Sequence, residues 1–163
     1  MPDVSIQAIM TSAGHRYVGR YGKEPAPYEA REQSEVECVA GRGIRGDRYF
    51  DHREDFKGQI TFFEFGVLEE VCKTFHHELD LTAVRRNVFV CGLDLNPLIG
   101  QIFSLQGVRF EGVEECKPCF WMDEALAPGA EDALKGRGGL RARILTDGVL
   151  RPGNATFTLE KSA

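Results

Sequence analysis

The chain has 163 residues, 42% of them hydrophobic and 28% charged, which suits one folded domain over residues 1–163 and is too apolar for a chain kept disordered by its charge. Twenty basic against 25 acidic side chains give a net charge of −5 and an isoelectric point near 5.4, a field that repels polyphosphate, so nucleic acid is not an expected partner. No apolar run approaches the roughly 20 residues of a membrane span and the N-terminus lacks a leader pattern, so the expectation is a cytoplasmic protein with no membrane partner.

In chain order, the first predicted strands are residues 4–10 and 35–40, the second with Val36, Cys38 and Ala40 on one face. Gly41-Arg42-Gly43-Ile44-Arg45-Gly46 then has the spacing GxGxxG, but residues 47–52 show no helical periodicity. It therefore reads as a glycine-rich turn able to hold an anion rather than a dinucleotide fingerprint. A strand at 59–63 is followed by a helix over 65–79, with Leu68, Val71, Cys72, Phe75 and Leu79 on one stripe. Arg85-Arg86-Asn87 stands at the mouth of the strand 87–91, either as two guanidiniums and an amide facing one ligand or as a strand-starting turn.

Strands at 101–105 and 108–113 are joined by Gln106-Gly107, and Pro128-Gly129 breaks the helical region 123–135 into two short pieces. The turn Gly136-Arg137-Gly138-Gly139 leads into 141–146, whose alternation puts Arg141 and Arg143 on the same face. Asp147-Gly148 signals a type I′ hairpin returning through 149–151, and 155–159 closes the chain. Many short strands with few helices give a mostly β, α+β fold: a single bent-sheet β-barrel with peripheral helices.

Two sets of residues carry candidate chemistry. Arginines recur beside glycines in an acidic chain, at Arg42, Arg45 and Arg48, at Arg85-Arg86, and at Arg137, Arg141 and Arg143, which points to a small anionic ligand, with solvated surface arginines as the plain alternative. Five cysteines, an odd number scattered through a chain of cytoplasmic character, argue against a disulfide framework, and Cys38, Cys72 and Cys91 read as core thiols. Cys116-Lys117-Pro118-Cys119 lacks the second ligand pair a zinc site needs, because His76-His77 are adjacent on a helix and diverge. A thioredoxin-like dithiol would begin a helix after the first strand of a βαβ unit. What remains beside it is a single reactive thiolate among cations, able to bind a soft metal or carry sulfur.

Taken in order, five stretches resemble the MOSC domain family, named after the C-terminal part of molybdenum cofactor sulfurase. They are Gly43-Ile44-Arg45-Gly46-Asp47-Arg48-Tyr49-Phe50, Gly58-Gln59-Ile60-Thr61, Arg85-Arg86-Asn87-Val88 on through Gly92 to Gly100, Lys117-Pro118-Cys119, and Gly136-Arg137-Gly138-Gly139-Leu140-Arg141-Ala142-Arg143. The resemblance implies a β-barrel that handles the molybdenum cofactor (molybdopterin) or activated sulfur. It makes Cys119 the essential cysteine, catalytic and a ligand to molybdenum, or the holder of a persulfide in the sulfurase setting. Cys116 is an extra thiol. Arg85 and Asn87 match an Arg-x-Asn motif associated with the pterin phosphate.

With Arg48, Arg141 and Arg143 these two form the expected anion site, several of them converging near Cys119. Relatives often carry an arginine where this chain has Gly58, which leaves that contact to Lys57 or unfilled. Neither the N-terminal barrel nor the pyridoxal-phosphate desulfurase domain of the larger relatives is expected, so the chain is similar to the small stand-alone bacterial forms. The implied function is a molybdenum-dependent oxidoreductase that reduces N-hydroxylated compounds, served by an electron-transfer partner. The alternative is a non-enzymatic sulfur carrier loaded by a cysteine desulfurase for cofactor or metal–sulfur cluster assembly.

Overall fold

The computed structural model describes residues 3–14 and 30–160. Its strands are β1 (Ser5–Thr11), β2 (Arg31–Glu32), β3 (Val36–Val39), β4 (Gly43–Ile44), β5 (Ile60–Glu64), β6 (Val88–Cys91), β7 (Ile102–Leu105), β8 (Val108–Glu115), β9 (Leu140–Ile144), β10 (Gly148–Leu150), β11 (Gly153–Asn154) and β12 (Phe157–Leu159). The helices among the described residues are α1 (Phe65–Thr74), α2 (Trp121–Ala125) and α3 (Ala130–Ala133), with one 3₁₀ turn at Asn96–Leu98. None of these helices is long and apolar enough to cross a membrane.

The alternation of β5 divides the interior. Phe62 enters one apolar cluster with Phe103, Phe110, Ile44 and Ile144, while its neighbour Phe63 faces a second cluster with Phe89, Leu68, Val71, Trp121 and Met122. The first cluster also takes in Val36, Cys38 and Leu150 of the strands β3 and β10, and the second takes in residues of the helices. Ring pairs such as Phe62 with Phe110, 5.2 Å apart and nearly perpendicular, bind the first cluster.

The expected barrel is not closed. The main sheet runs β11-β1-β6-β5-β9-β8-β7-β12, with β2 beside β1, and no ladder among the described residues joins β12 to β11; β10, β3 and β4 form a separate small sheet. The physical reason lies in residues 155 and 156. There the chain crosses covalently from one sheet edge to the other, Ala155 N–H donating to Val4 O (2.9 Å) and Thr156 O accepting from Gln106 N–H (3.0 Å). The backbone groups at the gap are thus used by a crossing strap rather than by a ladder.

Two further expectations are corrected. Asp147-Gly148 does not form a hairpin, since neither residue takes the positive φ a type I′ turn requires. Instead Asp147 Oδ1 accepts the Ala40 N–H (2.8 Å), and β10 pairs with β3. The hairpin of that kind is at Gln106-Gly107, with φ of 51° and 82°, which sets Leu105 opposite Val108. The helix expected to reach residue 79 ends at Thr74, where His76 turns left-handed at φ 53° and Leu79 is left exposed.

Candidate functional site

Arg85-Arg86-Asn87 opens β6, and the structure sends its three side chains to three different tasks. Arg85 takes φ 57°, a left-handed turn that swings its guanidinium toward Cys119, with Nη2 3.7 Å from Sγ and the charge 5.5 Å from the Trp121 ring centroid. Arg86 is buried and donates to three carbonyls: Gly138 O (2.8 Å), Val84 O (2.6 Å) and Cys116 O (2.9 Å). Asn87 is buried behind Thr61. Its Oδ1 accepts from Thr61 N–H (3.0 Å) and Oγ1 (3.1 Å), and its Nδ2 donates to Met10 O (3.1 Å). This amide therefore extends the β5–β6 pairing by one rung, because the parallel ladder itself begins at Phe62 and Val88.

The cysteine segment leaves the end of β8 and turns into α2. Cys116 is pinned through its backbone, N–H to Gly139 O (2.8 Å) and O from Arg86, while Cys119 O accepts the Met122 N–H (2.9 Å) that starts α2. Gly138 fits against this segment so closely that a Cβ there would lie 2.3 Å from Cys116 O and 2.8 Å from Pro118 Cδ. The glycine turn foreseen as a place of close approach therefore approaches the thiol loop itself.

These elements enclose a pocket of about 170 Å³ lined by Arg48, Tyr49, Phe56, Gly58, Thr61, Arg85, Arg86, Cys116, Lys117, Cys119 and Arg141. Five lining side chains are cations, and no lining residue is a carboxylate. Two acids pair with lining cations. Asp47, fully buried, accepts from Arg48 (3.3 Å) and from Ser12 N–H (3.0 Å), and Glu114 lies 3.7 Å from Arg141 and 2.9 Å from Lys57. Burial lowers the Arg85 pKa; the charges of Arg86 and Arg48 push the same way, while Cys119 and Tyr49 oppose them. At Arg141 burial also works against the cation but is outweighed by the nearby Cys116 and by Glu114 and Tyr49. Among the described residues no cluster of three or more His, Cys, Asp or Glu side chains is placed to hold a metal ion.

The profile of the MOSC domain matches residues 51–156. The chain belongs to the MOSC domain family. No curated protein matches it in sequence. Solved structures show the same fold: the YuaD protein of Bacillus subtilis at 17% identity and TM-score 0.68, covering 96% of this chain and all of that one. YiiM of Geobacillus stearothermophilus is similar at 16% and 0.69, covering 97% of this chain and 75% of that chain. YiiM of Escherichia coli follows at 12% and 0.60, covering 96% and 72%.

Of the residues expected at the MOSC anion site, Arg48, Arg85, Arg141 and Cys119 share the pocket, whereas Asn87 and Arg143 do not line it. Arg143 lies two residues farther along β9 and is held by Asp55 (3.0 Å) and Glu111 (3.2 Å). Strand alternation gives a common face and not a common site, since two residues advance about 7 Å. Lys57 pairs with Glu114 and does not replace the missing arginine; the space beside Gly58 is taken by Phe56. Asp47 and Thr61 are given no role by the sequence reading, and Arg86, read there as a possible second guanidinium for the ligand, lines the pocket while its donors go to three backbone carbonyls.

Proposed function

We propose that the pocket binds the molybdenum cofactor, with Cys119 as thiolate ligand to the metal and Arg48, Arg85 and Arg141 holding its phosphate. One observation carries this reading: a soft sulfur donor and five cations line one concavity that no carboxylate lines. The donor set fits such a group, soft toward the metal and cationic toward the phosphate. When bound, the cofactor supplies two-electron redox chemistry at molybdenum, and reduction of N-hydroxylated compounds is the activity assigned here. The chain's residues do the rest. Arg85 donates to Cys119 Sγ and so stabilises an anionic sulfur, Asp47 orients Arg48, and Arg86 fixes the backbone of Cys116. An anion would also relieve the mutual repulsion of Arg85, Arg86 and Arg48.

The test is metal analysis of protein purified from a host that makes the cofactor. Wild type is expected to carry near-stoichiometric molybdenum, Cys119→Ser to lose it with its thermal melt little changed, and Cys116→Ser to retain most of it. Equal loss from both substitutions would overturn a single-thiolate ligand.

A second reading is favoured by a specific observation, that Cys116 lines the same pocket as Cys119. In it Cys119 carries sulfur as a persulfide delivered by a cysteine desulfurase, and the cations hold the anionic persulfide. Persulfide on Cys119 in protein purified without molybdenum is the result that would support it over the first.

A further inference from the structure

Cys116 has no task in cofactor binding, yet its surroundings are as specific as those of Cys119. Its backbone is held at both polar groups, by Gly139 O and by the Arg86 guanidinium, and it lines the pocket together with Arg141. Cys119 is anchored to the start of α2 and its sulfur faces Arg85. Two thiols thus stand at the ends of a two-residue connector, Lys117-Pro118, both lining one pocket with the guanidiniums of Arg85 and Arg141. A Cys-x-x-Cys connector is short enough for a disulfide.

We infer that Cys116 is the resolving thiol of this pocket, releasing as sulfide the sulfur that Cys119 carries. The inference rests on the sulfur-carrying reading above. In the step, Cys116 Sγ attacks Cys119 Sγ, the Sγ–Sγ bond forms and the bond from Cys119 Sγ to the outer sulfur breaks. The electron pair leaves with the outer sulfur, which takes the Cys116 thiol proton and departs as HS⁻. The outer sulfur is reduced and the Cys116 sulfur is oxidised, while Cys119 Sγ exchanges one S–S bond for another, so no other oxidant or reductant enters. A small external thiol then reduces the disulfide and restores the pair. Lys117, Arg85 and Arg141, lining the same pocket, stabilise the departing anion.

The experiment loads the protein with inorganic polysulfide, removes the excess, and follows intact mass and released sulfide. Wild type is expected to end as a Cys116–Cys119 disulfide, with one sulfide released for each sulfur bound. Cys116→Ser and Cys116→Ala are expected to keep the added sulfur on Cys119 and release it roughly tenfold more slowly or less. Two replacements, one polar and one apolar, guard against a variant that fails to fold, with a thermal melt for each. If wild type holds its persulfide as long as these variants and forms no disulfide, the resolving role is overturned while sulfur carriage stands. If no sulfur is taken up at Cys119 even in the Cys116 variants, sulfur carriage fails and the resolving role with it.

Discussion

Burial deep in the first apolar cluster, with help from the neighbouring Glu37 charge, pushes the Cys38 thiol from an ordinary value of 9.0 up to about 12. The consequence for stability has a definite sign. Below about pH 9 the thiol is neutral in both folded and unfolded chains and the full stability is present. Between there and about 12 the unfolded thiol ionises while the folded one does not, so stability falls by about 1.4 kcal/mol for each pH unit from this group alone. Replacing Cys38 with Ala should therefore flatten the alkaline limb of a urea stability profile while costing about 1–2 kcal/mol near neutrality for the small cavity. Cys72 and Cys91, also raised by burial, leave part of the slope in place. An unchanged slope in Cys38→Ala would show that the limb has another source. The core role of Cys38 was legible from its place in an alternating strand, whereas nothing in Arg85-Arg86-Asn87 told which side chain points outward. The left-handed turn at Arg85 decides that, and Arg85 belongs to no residue class that favours such a φ.

Among the elements, the turn before β9 and the loop after β8 are fitted to each other by the absence of a side chain. Gly138 does not need a left-handed backbone, but a Cβ there would overlap the carbonyl of Cys116 and the ring of Pro118, and neither can move without shifting the thiol loop. Gly138→Ala should cost about 1–3 kcal/mol in a urea melt. It should also lower molybdenum retention or polysulfide uptake more than that loss of stability explains, because both cysteines sit on the displaced segment. Unchanged uptake with reduced stability would mean the loop position is not critical. Local patterns were readable at this scale. The stripe of α1 and the broken pair α2 and α3 follow from periodicity and from Pro128-Gly129. The pairing of β10 was not readable, because Asp147-Gly148 carries the composition of a tight turn while its side chain and space are taken by Ala40 and by Val108, residues distant in sequence.

For the whole molecule, the sheet's failure to close is likewise a matter of non-local pairing that strand composition cannot reveal, since each edge strand has the pattern of any other. The charge distribution is the more informative global property. A chain of net charge −5 gathers Arg48, Arg85, Arg86, Lys117 and Arg141 around one pocket, with Asp47 and Glu114 paired to two of them. The positive potential there is local, opposed at long range by the rest of the surface, so an anion should be held by contact rather than by steering. The chain's single tryptophan, Trp121, lies beside the Arg85 guanidinium and so reports on it. Titration with tungstate or sulfate should change Trp121 emission saturably. The apparent affinity should weaken several-fold in Arg85→Ala and in Arg141→Ala, and much less in Arg143→Ala, whose charge is already held by Asp55 and Glu111. Raising the salt from low to about 0.5 M should weaken binding only modestly, because partly buried guanidiniums are screened less than exposed ones. Equal losses from Arg143→Ala and Arg85→Ala would mean that the anion follows the general surface potential and not this pocket.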